Sequence, residues 1–513
     1  MKRLLILALF LVSCGAITPE IVPPSVAVPS TTPTQISMAE IATPTPTPIL
    51  AMPTVTPTLQ PQAESDQQLA LKANYPLQPD LVNLPYYTMR IEVDADAESF
   101  RGTQIISYTN TTTATLNDLV LRSYPNFPPD VMGDGGDTRT EVMSVASDGQ
   151  PLELRVEKQD TVYRVMLKQP LAPNKVLTLE TTFKGTVKAW DDGSYPFLSA
   201  YPMLALWDSA TQTWRTDVTR FPDRVFAQAA WYDVSVTLPK DLQVFATGSA
   251  VTSSDDGKQA TTRFVSSPVR EWAASFGRFE SLKTITNGIT VTVYQTVKSQ
   301  HDLERVRDMA AGSLQSYEQR FGAYPYRELD LHVMEWDGSG GIEYPAFTII
   351  LVPTTVNDRT DFVVAHEVAH QWWYALAGND MYREPWLDES LANYSAFVGA
   401  NDVLGAEQAQ AYWQNEIERL YQQGEANGGA PAGLAITEYA SFNAYYRAVY
   451  GKGAVFLAVL REQIGDEAFF AGLRDYYANN QFGIGTRQRF QYAMESASNS
   501  ELTDVFNQWL GAK

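Results

Sequence analysis

The chain has 513 residues, a formal net charge of −21 at pH 7, 44% hydrophobic residues and 12% aromatic residues. This composition can form packed cores and excludes a wholly disordered protein, and the length allows two or three domains. The excess of acidic side chains argues against a nucleic-acid partner, because nothing would offset the repulsion from phosphate groups.

The first residues predict an exported protein that is held at a membrane. A basic start at residues 2–3 precedes the apolar run 4–12, which is typical of a secretory signal and too short to span a bilayer. Residues 11–14, Leu-Val-Ser-Cys, resemble a bacterial lipobox, so Cys14, the only cysteine, is expected to carry the lipid. Residues 1–14 are then a lipoprotein signal segment, and the protein is an extracytoplasmic, membrane-anchored bacterial lipoprotein. The alternative is an ordinary signal peptide with an incidental cysteine.

Residues 15–75 are rich in proline and threonine, most clearly at 43–48 and 53–58. Such a composition cannot bury a core, and it favours an extended, semi-rigid spacer of polyproline type. The sequence therefore predicts a disordered linker that lifts the folded part of the chain away from a membrane surface.

Residues 76–283 are predicted to form an N-terminal β domain. Hydrophobic and polar residues alternate along 87–94, 103–108 and 232–238, as expected for half-buried strands. Clusters of turn-forming residues, such as 253–257, separate these segments. We expect an antiparallel β-sandwich or saddle.

Residues 284–513 are predicted to form a second domain of α+β type. A strand at 289–294 and an amphipathic helix at 302–321 precede two strands, 329–334 and 347–352, which flank a glycine-rich loop. The remainder is helical, with helices expected at 408–423, 453–464, 466–477, 486–497 and 501–510. The expected fold class is multidomain α+β, with a helical C-terminal half in the second domain.

The most specific signal is a pair of histidines four residues apart, His366 and His370, with Glu367 directly after the first. Residues four apart share one face of a helix, so both imidazoles can bind one metal ion. Glu367 lies about 100° around that helix, which suits a general base acting on a water molecule at the metal. Two unrelated surface histidines are the alternative, but chance rarely gives this spacing in a chain with four histidines.

Glu389 follows His370 after eighteen intervening residues and is the expected third ligand. Thr360 or Asp361 can cap the first helix, which is expected to include His370 and to stop near Gly378. A second helix is expected over about 386–398, with Glu389 early in it. Two histidines and one glutamate leave a coordination position open for water, which is the catalytic rather than the structural pattern of zinc.

These residues resemble the zinc aminopeptidases of the aminopeptidase N and leukotriene-hydrolase family, which are gluzincins. That family carries His-Glu-x-x-His and, after eighteen residues, a glutamate in a Trp-Leu-x-Glu context, as at 364–373 and 386–390 here. Residues 340–345, Gly-Gly-Ile-Glu-Tyr-Pro, look like a variant of its Gly-x-Met-Glu-Asn signature. The likeness covers roughly 76–513. It implies a thermolysin-like zinc peptidase domain, without the large helical C-terminal domain of many relatives.

The resemblance also implies the roles of individual residues. His366, His370 and Glu389 would hold one Zn²⁺ ion, with Glu367 as the general base that acts on peptide substrates. A second group of residues would bind the substrate's free amino group and the oxyanion: Glu343 with Gly340 and Gly341 for the amine, and Tyr450, which precedes Gly-Lys-Gly, for the oxyanion.

Four further side chains are weaker candidates. Tyr445 is a second possible catalytic tyrosine, and Asn393, one turn after Glu389, could orient a ligand or lie exposed. His301 and His332 are expected to be structural.

Two other functions stay open at this stage. A zinc endopeptidase would use the same chemistry without recognising an amine, so Glu343 discriminates between the two enzymes. A non-catalytic surface binding module could keep the fold, but it would be marked by the loss of Glu367 or of a ligand. The sequence gives no oligomeric state.

Overall fold

The computed structural model describes Asp66, residues 68–72, Tyr75 and residues 79–512, apart from 129–137, 222–223, 337 and 354–357. The predicted signal segment, Cys14 and most of the predicted linker lie outside the described residues. Within these ranges, none of the helices combines the length and the apolar character needed to cross a bilayer.

The first half of the described chain consists of β-strands. Alternate residues of the first strand, Tyr87, Met89, Ile91 and Val93, are buried, as the sequence pattern predicts. In chain order the strands are β1 Tyr86–Asp94, β2 Ser99–Thr109, β3 Leu116–Arg122, β4 Arg139–Ser147, β5 Gln150–Pro151, β6 Glu153–Glu157, β7 Val162–Leu171, β8 Val176–Thr186, β9 Tyr195–Leu198, β10 Met203–Leu204, β11 Trp207–Asp208, β12 Thr213–Trp214, β13 Ala230–Pro239, β14 Gln243–Ala246, β15 Ser249–Asp255, β16 Gln259–Val269 and β17 Ala273–Gly277.

These strands form one large sheet and three smaller ones. The large sheet has eight strands in the order β15-β16-β13-β1-β2-β8-β4-β5, and the others are β10-β3-β7-β6, β14-β17-β9 and β11-β12. Neighbouring strands are antiparallel except for β1 and β13, which run parallel. The predicted N-terminal β domain is therefore confirmed, with one parallel pair in its main sheet.

The second half begins with a five-stranded sheet in the order β18-β19-β20-β22-β21. Its strands are β18 Phe279–Thr286, β19 Ile289–Thr296, β20 Glu328–Glu335, β21 Gly340–Tyr344 and β22 Phe347–Val352. The central strands β19, β20 and β22 are parallel, and β21 pairs antiparallel with β22 at the edge. The prediction of a glycine-rich loop before β22 is wrong at 340–344, because pairing with β22 outweighs the low strand propensity of glycine.

The rest of the chain is mainly helical, which confirms the predicted helical C-terminal half. The α-helices are α1 Leu303–Phe321, α2 Asp358–Ala369, α3 Trp386–Leu404, α4 Ala406–Tyr412, α5 Arg419–Glu425, α6 Phe442–Tyr446, α7 Gly453–Ile464, α8 Asp466–Asn480, α9 Arg487–Ser498 and α10 Thr503–Leu510. Two π-helical segments are Trp413–Glu418 and Arg447–Lys452, and short 3₁₀ helices are Gln68–Ala70, Pro79–Asn83, Tyr124–Asn126 and Ile436–Glu438.

The helix that carries His366 differs from its prediction at both ends. It begins at Asp358, so the predicted caps Thr360 and Asp361 lie inside the helix, and it ends at Ala369 rather than near Gly378. Beyond Ala369 the chain turns back, with the amide of Ala375 donating to the carbonyl of His370 over 2.9 Å. The amides of His370 and Trp373 still donate to the carbonyls of His366 and Ala369, over 3.3 and 3.1 Å, and the turn replaces the helical hydrogen bonds that the prediction assumed beyond them.

The β domain contacts the connection between α2 and α3. Arg215 of the β domain bonds Asp380 over 2.5 Å, and Asp208 accepts a hydrogen bond from Arg383 over 2.9 Å. The hydroxyl of Tyr382 donates to the carbonyl of Arg224 over 2.7 Å. The two halves of the described chain are therefore joined at the segment that lies between the predicted ligands.

Candidate active site

Three side chains converge where α2 and α3 approach each other. The donor atoms of His366, His370 and Glu389 all lie within 4.8 Å of one another, and the three residues are buried. The Nε2 atoms of the two histidines are 3.0 Å apart. Oε2 of Glu389 lies 3.2 Å from Nε2 of His366 and 3.6 Å from Nε2 of His370. The fold thus brings the three predicted ligands together.

This donor set fits one zinc ion. Nδ1 of His370 lies 2.7 Å from Oδ1 of Asp388 and 3.1 Å from the carbonyl oxygen of Trp373. Both neighbours accept hydrogen bonds, so Nδ1 carries a proton, and Nε2 is the nitrogen that faces His366 and Glu389 and would bind the metal ion. Two imidazole nitrogens and one carboxylate that converge on one point are the donor set of a catalytic zinc site.

The charges of the site belong to its metal-free form. Burial raises the pKa of Glu389, but the neighbouring His370 and His366 outweigh burial and hold this pKa well below its usual range. Burial lowers the pKa of His366. Burial also lowers the pKa of His370, but Asp388, Glu343 and Glu389 outweigh burial and raise this pKa well above its ordinary value. Glu389 is therefore ionised and His366 neutral near pH 7, whereas His370 holds a proton that it would release when a metal ion binds.

Glu367 lies beside the three donors without joining them. It is buried, and the hydroxyl of Thr348 on β22 approaches its carboxylate to 3.5 Å. A side chain at Gly341 on β21 would overlap this carboxylate, so the glycine leaves the room that Glu367 occupies. Burial raises the pKa of Glu367 to about 8, which suits a group that both takes and returns a proton near neutral pH.

Glu343 lies on the edge strand β21, directly opposite Thr348 of β22. An oxygen of its carboxylate lies within 4.8 Å of donor atoms of Glu367 and His370, and its side chain is half-buried. Gly340 and Gly341 precede it on the same strand. Glu343 is therefore close enough to the converging donors to contact the same substrate.

A buried glutamine connects β21 to the histidine segment. The amide group of Gln371 donates to the carbonyl of Tyr344 over 3.0 Å and accepts a hydrogen bond from the backbone amide of Ala346 over 2.7 Å. Sequence analysis missed Gln371 and Asp388, although each directly adjoins a predicted ligand in the sequence. Their position next to a ligand in the sequence is the signal that could have identified them.

Tyr450 lies in the π-helical segment Arg447–Lys452, with its ring stacked on the ring of His366 at a centroid distance of 6.0 Å. The amide of Asn393 donates to the carbonyl of Tyr450 over 2.9 Å. Asn393 is buried, so the alternative of an exposed position is wrong. Tyr445 packs edge-to-face on Tyr450 at 6.2 Å.

The two remaining histidines lie elsewhere. Nδ1 of His332 is 3.0 Å from the hydroxyl of Ser275, and its ring packs against Phe245 and Phe279. His301 is buried near the start of α1. Among the described residues, neither belongs to a group of three or more side chains placed to hold a metal ion.

The part of the chain that carries the site matches a known protein family. Residues 307–509 match the model of the peptidase family M1 domain. This segment contains every predicted site residue, and the match confirms the resemblance to the M1 zinc aminopeptidases.

Similar curated proteins are aminopeptidases. The chain is 22% identical over 450 residues to aminopeptidase 2 of Candida albicans, covering 83% of this chain and 46% of that protein. It is 26% identical over 257 residues to aminopeptidase N of Lactobacillus helveticus, covering 46% of this chain and 30% of that protein. The chain thus spans less than half the length of these two relatives.

A similar solved structure is the M1 zinc metallopeptidase from Deinococcus radiodurans. It aligns with a TM-score of 0.64 at 17% sequence identity, and the alignment covers 84% of this chain and 94% of that chain. The two chains therefore share a fold over nearly the whole length of the other protein.

Proposed function

Because residues 307–509 match the model of the peptidase family M1 domain, we propose that the protein is a zinc-dependent aminopeptidase that removes N-terminal residues from peptides. The observation that carries this proposal is the convergence of His366, His370 and Glu389 beside the carboxylates of Glu367 and Glu343. A metal site and a site for a charged amine then share one location.

His366, His370 and Glu389 would hold the zinc ion in this proposal. When bound, zinc polarises the substrate carbonyl and lowers the pKa of a coordinated water molecule to about 7. Asp388 keeps His370 in the tautomer that leaves Nε2 free for the metal, through the 2.7 Å contact with Nδ1.

Glu367 acts as the general base. It would take a proton from the attacking water and return it to the leaving amine, from a position beside the three ligands. Gly341 leaves the space in which this carboxylate lies beside the three ligands.

Tyr450 donates a hydrogen bond to the oxyanion that forms on the scissile carbonyl. Its ring stacks on His366, and Asn393 holds its backbone carbonyl. One such donor is typically worth about 2.7–4 kcal/mol in the transition state.

Glu343 selects substrates by their free N-terminus. A carboxylate at this distance from Glu367 and His370 can pair with the α-ammonium group of a peptide whose first carbonyl faces the zinc site. At about 4 Å and an effective dielectric of about 20, the pair gains on the order of 4 kcal/mol before desolvation. Cleavage would then follow the first residue.

The test compares free and blocked peptides with the same sequence. The wild type should cleave peptides with a free amine, and their N-acetylated forms should be poor substrates. Glu343→Ala should reduce cleavage of free peptides by about 10²–10³, with Glu343→Asp as the control that keeps the charge. If the wild type cuts blocked peptides internally as fast as free ones, the enzyme is a zinc endopeptidase.

We also propose that the enzyme acts outside the cytoplasm as a lipoprotein anchored through Cys14. The supporting features are the basic and apolar start, the lipobox-like residues 11–14 and the Pro/Thr-rich residues that follow. The signal segment at 1–14 and the Pro/Thr-rich linker after it belong to the same proposal.

A further inference from the structure

His370 lies at the junction of helix α2 and a loop: its amide donates to the carbonyl of His366 over 3.3 Å, and its carbonyl accepts from the amide of Ala375 of the loop. Helix α2 ends at Ala369, and residues 370–378 form a tight turn. Tyr374 in this turn has a φ of 113°, a conformation that residues other than glycine rarely adopt. Such a backbone persists only where the surrounding structure holds it.

Arg270 of the β domain, between β16 and β17, is a group that holds this loop. Its Nε donates to the carbonyl of Tyr374 over 2.5 Å, and its Nη2 donates to the carbonyls of Leu376, over 3.1 Å, and Gly483. A side chain at Gly378 would overlap its guanidinium group. Arg270 is 3% exposed, so this contact is part of the interior.

The same loop also contacts the imidazole of His370. The carbonyl oxygen of Trp373 lies 3.1 Å from Nδ1 of His370, beside Oδ1 of Asp388 at 2.7 Å. Arg270 therefore reaches His370 through the backbone of the loop, whose carbonyls at Tyr374 and Leu376 accept its hydrogen bonds.

We propose that Arg270 is a positioning residue for the metal site: it fixes residues 370–378, and so directs Nε2 of His370 towards His366 and Glu389. The β domain then contributes to metal affinity although it supplies no ligand. This inference rests on the proposed zinc site.

The test measures zinc affinity in the full chain by competition with a zinc-binding dye. Arg270→Lys keeps the positive charge, but an ammonium group lacks the planar set of N–H donors with which the guanidinium group binds several carbonyls at once. We expect its zinc affinity to fall about 10- to 100-fold, as is typical for groups that orient metal ligands. At saturating zinc, kcat should fall while KM stays unchanged, because Arg270 does not touch the substrate.

Arg487→Lys is the matched control. Arg487 is also buried, and its side chain bonds the carbonyl of Gly511 over 2.6 Å and Oδ1 of Asn507 over 2.8 Å, away from residues 370–378. We expect this variant to lower the thermal midpoint and to leave zinc affinity unchanged.

The outcomes separate the two proposals. A wild type that binds no zinc overturns the proposed function. A wild type that binds one zinc ion, with equal affinity in Arg270→Lys, overturns only the role of Arg270. If Arg270→Lys fails to fold even in excess zinc, Arg270 serves the fold as a whole and the positioning role is also overturned.

Discussion

The carboxylate of Glu367 packs against the α-carbon of Gly341, leaving no space for a side chain at position 341. The two residues belong to different elements, α2 and the edge strand β21. Their contact makes the position of the general base depend on how closely the strand approaches the helix.

Gly341→Ala should therefore reduce kcat while zinc stays bound. The added methyl group must displace Glu367 or the strand, and a displacement of about 1 Å can cost about 10²-fold in rate. Steady-state kinetics and metal analysis of the same preparation check this result. Gly424→Ala, where the nearest atom would be 3.3 Å away, is the control and should be active. Equal kcat values for the two variants would contradict the role of the contact.

Glu367→Gln and His366→Ala should separate catalysis from metal binding. Glu367 lies outside the three converging donors, so its amide variant should keep zinc and lose activity by several orders of magnitude. His366→Ala removes a donor and should lose the metal itself. The zinc content of the two purified variants is the measurement. If Glu367→Gln contains as little zinc as His366→Ala, Glu367 is needed for metal binding and the division of roles is wrong.

Tyr450→Phe should lower kcat by about 10²–10³, in line with one lost donor to an oxyanion. Tyr445→Phe is the matched control, because Tyr445 packs on Tyr450 without stacking on His366. Zinc content should be unchanged in both variants. If kcat falls more in Tyr445→Phe than in Tyr450→Phe, Tyr445 rather than Tyr450 is the donor to the oxyanion.

The stability of the protein should fall as pH rises from about 4.5 to about 8. Burial raises the pKa of Glu271 in the β domain to about 8 from an ordinary value of 4.5, against the opposing effects of the Ser199 hydroxyl and Arg270. Between these values the folded state binds a proton that the unfolded state has released, so folding becomes less favourable with rising pH. Glu271→Gln should flatten this dependence, as measured by thermal midpoints. An equally steep fall in the variant would rule out Glu271 as its source.

Cys14→Ser should release the protein from the membrane fraction or block its processing. Cys14 is the only cysteine, and it is the last residue of the lipobox-like stretch. Fractionation and mass analysis of the N-terminus provide the measurement. Normal processing and membrane retention of the variant would refute the lipid anchor.

The ligands could be predicted from the sequence because their geometry is local. A spacing of four residues places His366 and His370 on one helical face whatever the rest of the chain does, and the return to Glu389 needs only a turn between two helices. The alternation that predicts β1 is equally local.

The features that were missed depend on contacts between distant residues. The end of α2 before His370 depends on a turn whose carbonyls bind Arg270, about a hundred positions away in the chain. Residues 340–344 form a strand because β22 pairs with them. Their two glycines do not favour a strand by themselves. The buried state of Asn393 follows from the approach of the segment that carries Tyr450.

The π-helical segment Arg447–Lys452 has a consequence for engineering this protein. Such a segment amounts to an α-helix with one surplus residue, and it lies between α6 and α7. Deleting one residue there would allow an unbroken α-helix with more regular hydrogen bonds. It would also rotate the positions before the deletion by about 100° relative to those after it. A shorter and more regular chain would thus lose the orientation of Tyr450, so a deletion that stabilises this region is expected to be selected against.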